Sequence, residues 1–320
     1  MPKPNFFIIG EPKCGTTILH NYLSNHKDIF MSKTKEPHYF NTDHHQEAIQ
    51  LNGEGKTKNS IFRYINKEDY LSLFEQANKE QKIIGESSTN YAYSKLAAKE
   101  IYNFNHNPKL LFCIREPLSF LQSWHSQIYK TGSEFIENFE EALISEKDRK
   151  KGKKIGKRTK YSSLLYYSEW IKFTEHLQRY LDYFPKEQIK VVIYEEFKKD
   201  NQKTIDEITD FLGVDRMKID YKQANITPKT KLTKFLKSKN IFRRFFGKIL
   251  PLSFRKKWGI FVDYIDSKID KKTNTLSLDA KTKLMKQFKP EVEKINDLLH
   301  KHNLIDPEID LVKYWGYDKV

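Results

Sequence analysis

An α/β fold with a parallel sheet flanked by helices is predicted for this 320-residue chain by three observations. Several short segments are nearly continuous apolar runs, which is typical of strands that are covered on both faces. Helical patterns alternate with these runs, and such alternation predicts parallel strands joined by right-handed crossovers. The first run ends in a short glycine-containing loop that leads into an amphipathic segment. Because ligands of such sheets bind at the carboxyl ends of strands, this loop is a candidate site.

The predicted elements follow from these patterns. The predicted strands are Phe6–Ile9, Ile29–Met31, Lys82–Gly85, Leu110–Ile114 and Ile189–Tyr194. The predicted helices are Thr17–Ser24, Lys67–Ala77, Tyr93–Phe104, Leu118–Tyr129, Ser163–Tyr183, Gln202–Leu212 and a final helix near Asp279–Leu299. The chain is long enough for one large α/β domain, and we interpret residues 1–320 as a single domain.

The chain is basic, with 57 Lys and Arg residues against 42 Asp and Glu residues and a net charge of +15. This balance favours anionic ligands without naming one. Residues 147–160 hold nine basic residues and one acidic residue, and their glycines suggest a mobile loop. Residues 229–258 are basic with interleaved apolar residues, a basic amphipathic pattern. This second segment is interpreted as a lid or surface insertion that covers a bound ligand, touches an anionic partner such as an acceptor substrate, or rests on a membrane surface. A solvated face is the alternative.

The two cysteines indicate neither a disulfide framework nor a zinc site. Cys113 lies in an apolar run, whereas Cys14 lies in the first loop. A lowered thiol pKa beside a helix N-terminus is one interpretation of Cys14, and a small loop residue is the preferred one. No run approaches the ~20 apolar residues of a membrane span. The first strand begins near residue 5 and leaves no room for a signal peptide, so a cytoplasmic location is expected.

The first loop, residues 10–17, has the composition of an anion-binding loop between a strand and a helix. Lys13 supplies a positive charge, and backbone N–H groups at a helix N-terminus favour an anion. Gly15 lets the backbone approach the ligand, and the hydroxyls of Thr16 and Thr17 donate hydrogen bonds. In the nucleoside-triphosphate pattern Gly-x-x-x-x-Gly-Lys-Ser/Thr, a lysine stands where this chain has Thr16. A glycine turn with a solvated lysine is the alternative interpretation.

A second candidate element follows the apolar run 110–114. Arg115 stands at the end of this predicted strand, Pro117 suits the first turn of the next helix, and Ser123 follows eight residues after the arginine. A guanidinium can hold a phosphate through two hydrogen bonds, and a serine hydroxyl can add another. Alternatively, Arg115 pairs with Glu116 or another acid, and Ser123 is a helix-surface residue.

Together these motifs resemble those of sulfotransferases that use 3′-phosphoadenosine 5′-phosphosulfate (PAPS). The loop Pro12-Lys13-Cys14-Gly15-Thr16-Thr17 resembles the family's 5′-phosphosulfate loop, and Arg115 with Ser123 resembles its 3′-phosphate site. Lys35-Glu36-Pro37-His38-Tyr39-Phe40 and Gly85-Glu86-Ser87-Ser88-Thr89-Asn90-Tyr91 resemble segments of carbohydrate (heparan-type) sulfotransferases. The family's lysine after the second segment's glutamate is Ser87 here, its proline is Thr89, and the cysteine-paired loop of animal heparan enzymes is absent. These departures make the chain more similar to a bacterial-type member of the family than to the animal heparan enzymes.

The resemblance implies the P-loop-like sulfotransferase fold and transfer of a sulfuryl group from PAPS to an acceptor hydroxyl, with a carbohydrate as the first choice. A lipid or a small-molecule alcohol is the alternative acceptor. The resemblance implies that residues 12–17 hold the 5′-phosphosulfate, that Lys13 neutralises the leaving phosphate, and that Arg115 and Ser123 hold the 3′-phosphate. It implies no metal, because lysine and loop amides take the role that magnesium has for ATP.

Glu36 is the candidate general base, because it follows the second predicted strand and the resemblance places the family's catalytic glutamate there. A carboxylate at this edge can take the proton of the acceptor hydroxyl. The alternative is an ion pair with Lys35 or Lys33. His38 is the second candidate base, since an imidazole has this role in cytosolic aryl and steroid sulfotransferases; a packed histidine is its alternative.

Two other classes of protein compete with this interpretation. A P-loop kinase or NTPase shares the loop, but the misplaced lysine and the Arg115–Ser123 pair argue against it, as does the lack of an apolar strand ending in a magnesium-binding aspartate. A nucleic-acid-binding protein would account for the charge and for the 14% aromatic residues. It would leave both loops unexplained, and the chain carries no recognised nucleic-acid motif. No nucleic-acid partner is expected.

Overall fold

The computed structural model describes residues 2–219 and 276–320. The basic segment 229–258 lies outside the described residues, so its interpretation as a lid or insertion stays a prediction. The hydrophobic core contains residues of both described ranges, from the first strand to the final helix and the C-terminal tail. No helix within the described ranges combines the length and the apolar composition that crossing a membrane requires.

A sheet of five parallel strands forms the centre of the fold. The strands are β1 (Phe6–Gly10), β2 (Ile29–Met31), β3 (Ile83–Ser87), β4 (Lys109–Ile114) and β5 (Ile189–Ile193). All five predicted strands are confirmed, with bounds that shift by at most two residues. Their spatial order is β2-β3-β1-β4-β5. Because β1 is central and pairs with both β3 and β4, the loops that follow these three strands meet at one edge, the usual place for a ligand.

Helices cover both faces of this sheet, as parallel strands require. They are α1 (Thr16–Leu23), α2 (Thr42–Asn52), α3 (Glu54–Lys56), α4 (Lys67–Ser72), α5 (Ala97–Phe104), α6 (Pro117–Thr131), α7 (Phe139–Ile144), α8 (Glu146–Arg149), α9 (Tyr167–Trp170), α10 (Phe173–Leu181), α11 (Tyr194–Lys199), α12 (Asn201–Leu212), α13 (Leu278–Lys301) and α14 (Leu311–Tyr314). Short 3₁₀ turns lie at Thr89–Tyr91, Ser162–Leu165, Lys186–Gln188 and Tyr317–Lys319, and a π turn lies at Thr57–Ile61.

The predicted helix Ser163–Tyr183 is wrong as a single element, because the chain divides there into a 3₁₀ turn, α9 and α10. Carboxylates from distant segments accept hydrogen bonds from the backbone at each break. Glu146 accepts from the N–H of Ser168 in the first turn of α9 at 2.8 Å, and Glu291 accepts from the N–H of Thr174 in the first turn of α10 at 2.8 Å. These long-range partners replace the bonds of a continuous helix, and no local sequence pattern announces them.

The basic segment 147–160 is fastened at both ends and so differs from the free loop that its glycines suggested. Its first residues complete α8, where the fully buried guanidinium of Arg149 forms an ion pair with Glu134 at 2.7 Å. Near its other end, the buried hydroxyl of Thr159 donates to the carbonyl of Ser133 at 2.7 Å. The backbone that bears the lysines is therefore anchored on both sides, at Arg149 and at Thr159.

The C-terminal tail supports the segment next to Arg115. Glu116 caps α6 by accepting hydrogen bonds from the N–H groups of Leu118 and Ser119 at 2.8 and 2.7 Å. The hydroxyl of Tyr317 donates to the same carboxylate at 2.6 Å. The carboxylate of Glu116 therefore binds the N-terminus of α6 and the C-terminal tail, and it does not pair with the neighbouring Arg115.

Candidate active site

A cavity of about 840 Å³ lies at the carboxyl edge of the sheet. The segment after each of the five strands contributes to its lining, as does α6. The cavity contains every predicted site residue except Cys14, namely Pro12, Lys13, Gly15, Thr16, Thr17, Glu36, His38, Arg115 and Ser123. Residues that are far apart in sequence therefore meet in one place, as their positions at strand ends predict.

The two glycines of the first loop stand where a side chain would not fit. A Cβ on Gly10 would lie 2.5 Å from the Cβ of Ala92 and 2.7 Å from the carbonyl oxygen of Thr89. Gly15 caps α1 with a φ of 79°, and a Cβ there would lie 2.9 Å from the ring of Phe197. The loop is thus pressed against its neighbours, and the first turn of α1 offers backbone N–H groups that have no partner within the helix.

Two cations of the cavity, Lys13 and Arg115, are joined through the first loop. The ammonium of Lys13 donates to Oε1 of Gln127 at 3.0 Å, and the guanidinium of Arg115 donates to the carbonyl of Lys13 at 3.2 Å. Arg115 also lies over the ring of Tyr194, 4.7 Å from its centre. Among the described residues its buried Nε has no hydrogen-bond partner, and no carboxylate forms an ion pair with it. A buried donor without a partner fits an anionic ligand at this point.

Cys14 is the one predicted ligand residue whose side chain faces away from the cavity. It is fully buried, and its Sγ lies 3.5 Å from the carbonyl of Pro12. Burial raises the pKa of this thiol well above its ordinary value, which agrees with the interpretation of Cys14 as a small loop residue. Cys14 can therefore contribute to an anion site only through its backbone N–H group.

Glu36 carries its carboxylate into the cavity and keeps 31% of its side chain exposed. One oxygen accepts from the Lys35 ammonium at 2.8 Å, and the other lies 3.5 Å from Nε2 of His38. The N–H and the hydroxyl of Thr89 donate to the carboxylate at 3.0 and 3.1 Å. Burial favours a higher pKa for Glu36, but Lys35, His38 and Thr89 outweigh it and lower the pKa to about 2. Glu36 is therefore ionised and able to accept a proton.

His38 is neutral at pH 7, because burial lowers its pKa to about 4 against the opposing effect of Glu36. Its ring packs edge-on against Phe62, with ring centres 5.8 Å apart. Among the described residues, its buried Nδ1 has no hydrogen-bond partner. The structure thus keeps both candidate bases in the same cavity, with the charge on Glu36.

Backbone conformation distinguishes the three predicted catalytic residues. Positive φ angles are uncommon for residues other than glycine, and strained conformations collect at functional sites. In the described part of the chain five such residues occur, and three of them are Lys13 (φ 66°), Glu36 (φ 59°) and His38 (φ 57°). The fold therefore tolerates local strain at the positions that the sequence selects for chemistry.

A buried carboxyl group, Glu86, supports the loop that carries Glu36, and its role was not predicted. Ser88 donates to Glu86 at 2.7 Å and accepts from the N–H of His38 at 3.0 Å. The hydroxyl of Tyr91 donates to Glu86 at 2.8 Å and accepts from the N–H of Tyr39 at 2.9 Å. Glu86 is fully buried at the end of β3, so it fixes the neighbouring loop from below the cavity.

We expect Glu86→Gln to remove a pH dependence from the stability of the protein. Burial raises the pKa of Glu86 to about 7, although hydrogen bonds from Ser88, Tyr91 and Tyr70 oppose the rise. Because its folded pKa lies above its unfolded pKa, the stability linked to Glu86 is complete below pH 4.5 and is lost as pH rises through 7. Urea denaturation should show that the wild type loses on the order of 2 kcal/mol between pH 5 and pH 8 relative to Glu86→Gln. Parallel curves for the two proteins would contradict this.

Further residues of the cavity wall carry no motif that could have marked them. Phe62, Trp124, Tyr161 and Leu164 supply aromatic and apolar surface, and Lys160 supplies a cation from the basic segment 147–160. The only signal in the sequence for this group is the charge of that segment. Among the described residues, no cluster of three His, Cys, Asp or Glu side chains is arranged to hold a metal ion.

Comparison with known proteins identifies relatives of this chain. A family model described as "Sulfotransferase domain" matches residues 3–256. The crystal structure of a sulfotransferase from Alicyclobacillus acidocaldarius superposes with a TM-score of 0.66 and 25% identity, covering 94% of this chain and 97% of that one. Two curated relatives are carbohydrate sulfotransferase 15 of Homo sapiens, 29% identical over 177 residues, and heparan sulfate glucosamine 3-O-sulfotransferase 5 of Mus musculus, 27% identical over 192 residues.

These curated relatives are longer than the region that matches. The alignments cover 44% and 59% of this chain but only 30% and 47% of the two proteins, respectively. The family model, in contrast, covers well over half of the chain, and the likeness to the bacterial structure extends over nearly all of it. The family model, together with the five-stranded parallel sheet, shows that the chain belongs to the sulfotransferase family.

Proposed function

We propose that this protein transfers the sulfuryl group of PAPS to a hydroxyl group, with a carbohydrate as the acceptor. The observation that carries the proposal is the meeting of three elements in one cavity: the loop of Lys13, the unpartnered Nε of Arg115 and the ionised carboxylate of Glu36. The first two suit a donor with two separate anionic groups, and the third suits a hydroxyl that must lose its proton.

The donor-binding part of this proposal rests on residues 12–17, Arg115 and Ser123. The loop amides, Thr16 and Thr17 hold the 5′-phosphosulfate, and Lys13 neutralises the charge that develops on the leaving phosphate. Arg115 and Ser123 hold the 3′-phosphate, which distinguishes PAPS from ATP. Support comes from the link between the two sites, since Arg115 donates to the carbonyl of Lys13 and so fixes their separation.

The proton-accepting part rests on Glu36. Its carboxylate is ionised because Lys35 holds the pKa of Glu36 low, and Lys35 lines the same cavity. The sulfuryl group of a bound donor competes for the Lys35 ammonium and weakens the ion pair between Lys35 and Glu36. The pKa of Glu36 then rises, and Glu36 becomes a stronger base. The base is thereby most reactive when the donor is present, which matches the demand of the reaction.

The carbohydrate acceptor is the least direct part of the proposal. It is supported by the relatives named for carbohydrate and heparan sulfate sulfation and by the aromatic side chains of Phe62, Trp124 and Tyr161 in the cavity wall. Such rings offer flat apolar surface against which the face of a sugar ring can pack. No observation favours a kinase or a nucleic-acid-binding protein.

The proposal is tested by incubating the protein with ³⁵S-labelled PAPS and either heparan sulfate or neutral N-acetylglucosamine oligosaccharides. We expect label to enter at least one of these glycans, and we expect the incorporation to disappear in the Glu36→Gln variant. Comparison of the two glycans shows whether the acceptor must be anionic. Transfer or hydrolysis of the γ-phosphate of ATP, without any sulfate transfer, would contradict the proposal.

A further inference from the structure

We propose that Lys160 is a further catalytic residue of this site, which holds the sulfuryl oxygens while the group passes from the donor to the acceptor hydroxyl. This inference rests on the proposed sulfuryl transfer. Lys160 lines the cavity together with Glu36 and His38, although it comes from a different part of the chain, the basic segment between α8 and α9. Nothing in its sequence environment separates it from the eight other cations of that segment.

The charge of Lys160 acts on the two candidate bases. It contributes to the lowered pKa of His38, and Glu36 in turn favours the charged form of Lys160. These mutual effects agree with the position of Lys160 in the wall of the cavity that also contains Glu36 and His38. Lys160 is therefore distinguished from the lysines of the same segment by the groups that it faces.

The backbone around Lys160 is held by hydrogen bonds and by buried neighbours, so the point from which its side chain starts is defined. Its carbonyl accepts a hydrogen bond from Nδ2 of Asn52 at 2.7 Å. The residue before it, Thr159, is buried and donates to the carbonyl of Ser133 at 2.7 Å. The residue after it, Tyr161, is also buried and belongs to the cavity wall. Lys160 is thus an exposed lysine whose two chain neighbours are buried.

The ammonium of Lys160 has no partner among residues 2–219 and 276–320, neither a hydrogen-bond acceptor nor a carboxylate at ion-pair distance. Lys160 is an exposed residue, so its ammonium can be reached from the cavity that it lines. The protein around it lowers its pKa by partial desolvation, against the opposing effect of Glu36. An accessible cation without a partner in the described part of the chain can be paired by an anion that enters the cavity. The geometry thus favours an anionic group of a substrate beside Lys160.

Comparison with Lys13 and Lys35, two of the other cations of the cavity, explains why this group is the sulfuryl group. Lys13 belongs to the first loop, which holds the leaving phosphate, and Lys35 forms an ion pair with Glu36 at 2.8 Å. Lys160 faces Glu36, on the acceptor side of the reaction. A sulfuryl group that moves from the phosphate to the hydroxyl therefore passes between Lys13 and Lys160.

The step is a substitution at sulfur. The bond between sulfur and the bridging phosphate oxygen breaks, and that oxygen keeps the electron pair. A bond forms between sulfur and the acceptor oxygen, whose proton passes to Glu36. The remaining sulfuryl oxygens carry negative charge throughout, and a fixed cation beside them stabilises the transition state.

The test compares Lys160→Met, which removes the charge and keeps the apolar stem, with Lys160→Arg, which keeps the charge. Lys157→Met, on an exposed lysine of the same segment outside the cavity, is the matched control. Two quantities are measured for each protein: the Kd for adenosine 3′,5′-bisphosphate by calorimetry, and the rate of PAPS cleavage at saturation, with heparan sulfate and with water alone. We expect Lys160→Met to lower kcat by about 10²–10³-fold with an unchanged Kd. Lys160→Arg should recover part of the rate, and Lys157→Met should behave like the wild type.

The outcomes separate this inference from the proposed function. A wild-type protein that does not bind the bisphosphate, or binds it without cleaving PAPS, overturns the proposed transfer and the role of Lys160 with it. A Lys160→Met variant with the wild-type rate overturns the role of Lys160 alone. A rise in the KM for heparan sulfate at constant kcat also overturns it, because Lys160 would then bind the acceptor without acting on the transferred group. Equal loss in Lys160→Met and Lys160→Arg would reduce Lys160 to a packing role.

Discussion

Replacement of Glu36 by glutamine is expected to lower kcat for sulfate transfer by about 10²–10⁴-fold, the usual contribution of a general base. Glutamine keeps the size of the side chain and can still accept hydrogen bonds from Lys35 and Thr89, the partners of the carboxylate in the structure. It cannot take up the proton of the hydroxyl. The Kd for adenosine 3′,5′-bisphosphate should not change, because the proposed binding site of this ligand consists of residues 12–17, Arg115 and Ser123.

The control for this experiment is Glu75→Gln, which changes an exposed glutamate outside the cavity and should leave kcat unchanged. The variant His38→Gln tests the competing hypothesis that His38 is the general base. Since its imidazole lies 3.5 Å from Glu36, loss of His38 should have a smaller effect than loss of the carboxylate. Full activity of Glu36→Gln together with an inactive His38→Gln would assign the base to His38.

Arg115→Ala is expected to weaken binding of adenosine 3′,5′-bisphosphate by about 10- to 100-fold, since hydrogen bonds to charged groups contribute ~1.5–3 kcal/mol. The effect should depend on the 3′-phosphate. Adenosine 5′-phosphosulfate, which lacks that group, should bind the variant and the wild type with similar affinity, as measured by calorimetry. The buried, unpartnered Nε of Arg115 is the structural reason for this expectation.

Arg63→Ala is the matched control for the Arg115 experiment, because Arg63 is exposed and does not line the cavity. Its affinity for both ligands should equal that of the wild type. If Arg115→Ala weakened both ligands to the same extent, Arg115 would be supporting the first loop through its bond to the carbonyl of Lys13. The assignment of the 3′-phosphate to Arg115 would then be wrong.

The sheet and the part of the cavity around Lys13 and Arg115 could be predicted because their signals are local. Strands covered on both faces are apolar along their whole length. Arg115 follows such a run directly, and Lys13 stands three residues after the end of another. Residues in the loops after neighbouring parallel strands come close together, even at a separation of 102 positions. The same logic placed Glu36 near them, after β2.

The roles of Glu86 and Lys160, near Glu36 and His38, could not be predicted, because they depend on contacts between distant segments. Glu86 matters through hydrogen bonds to Tyr70, Ser88 and Tyr91, and a fully buried carboxyl group at a strand end has no distinctive local pattern. Lys160 has no local pattern that separates it from the lysines around it in sequence, and its place in the cavity wall between the buried Thr159 and Tyr161 distinguishes it. The broken helix near residue 166 has the same origin, since remote carboxylates take its backbone N–H groups.

The most direct test of the proposed function is thermal stability in the presence of adenosine 3′,5′-bisphosphate, compared with ATP and Mg²⁺ and with buffer alone. A ligand at 100 times its Kd should add about 2.7 kcal/mol to the free energy of unfolding. We expect a clear rise in Tm with the bisphosphate alone and loss of that rise in Arg115→Ala. A rise with ATP and Mg²⁺ and none with the bisphosphate would contradict the account and assign the loop of Lys13 to a nucleoside triphosphate.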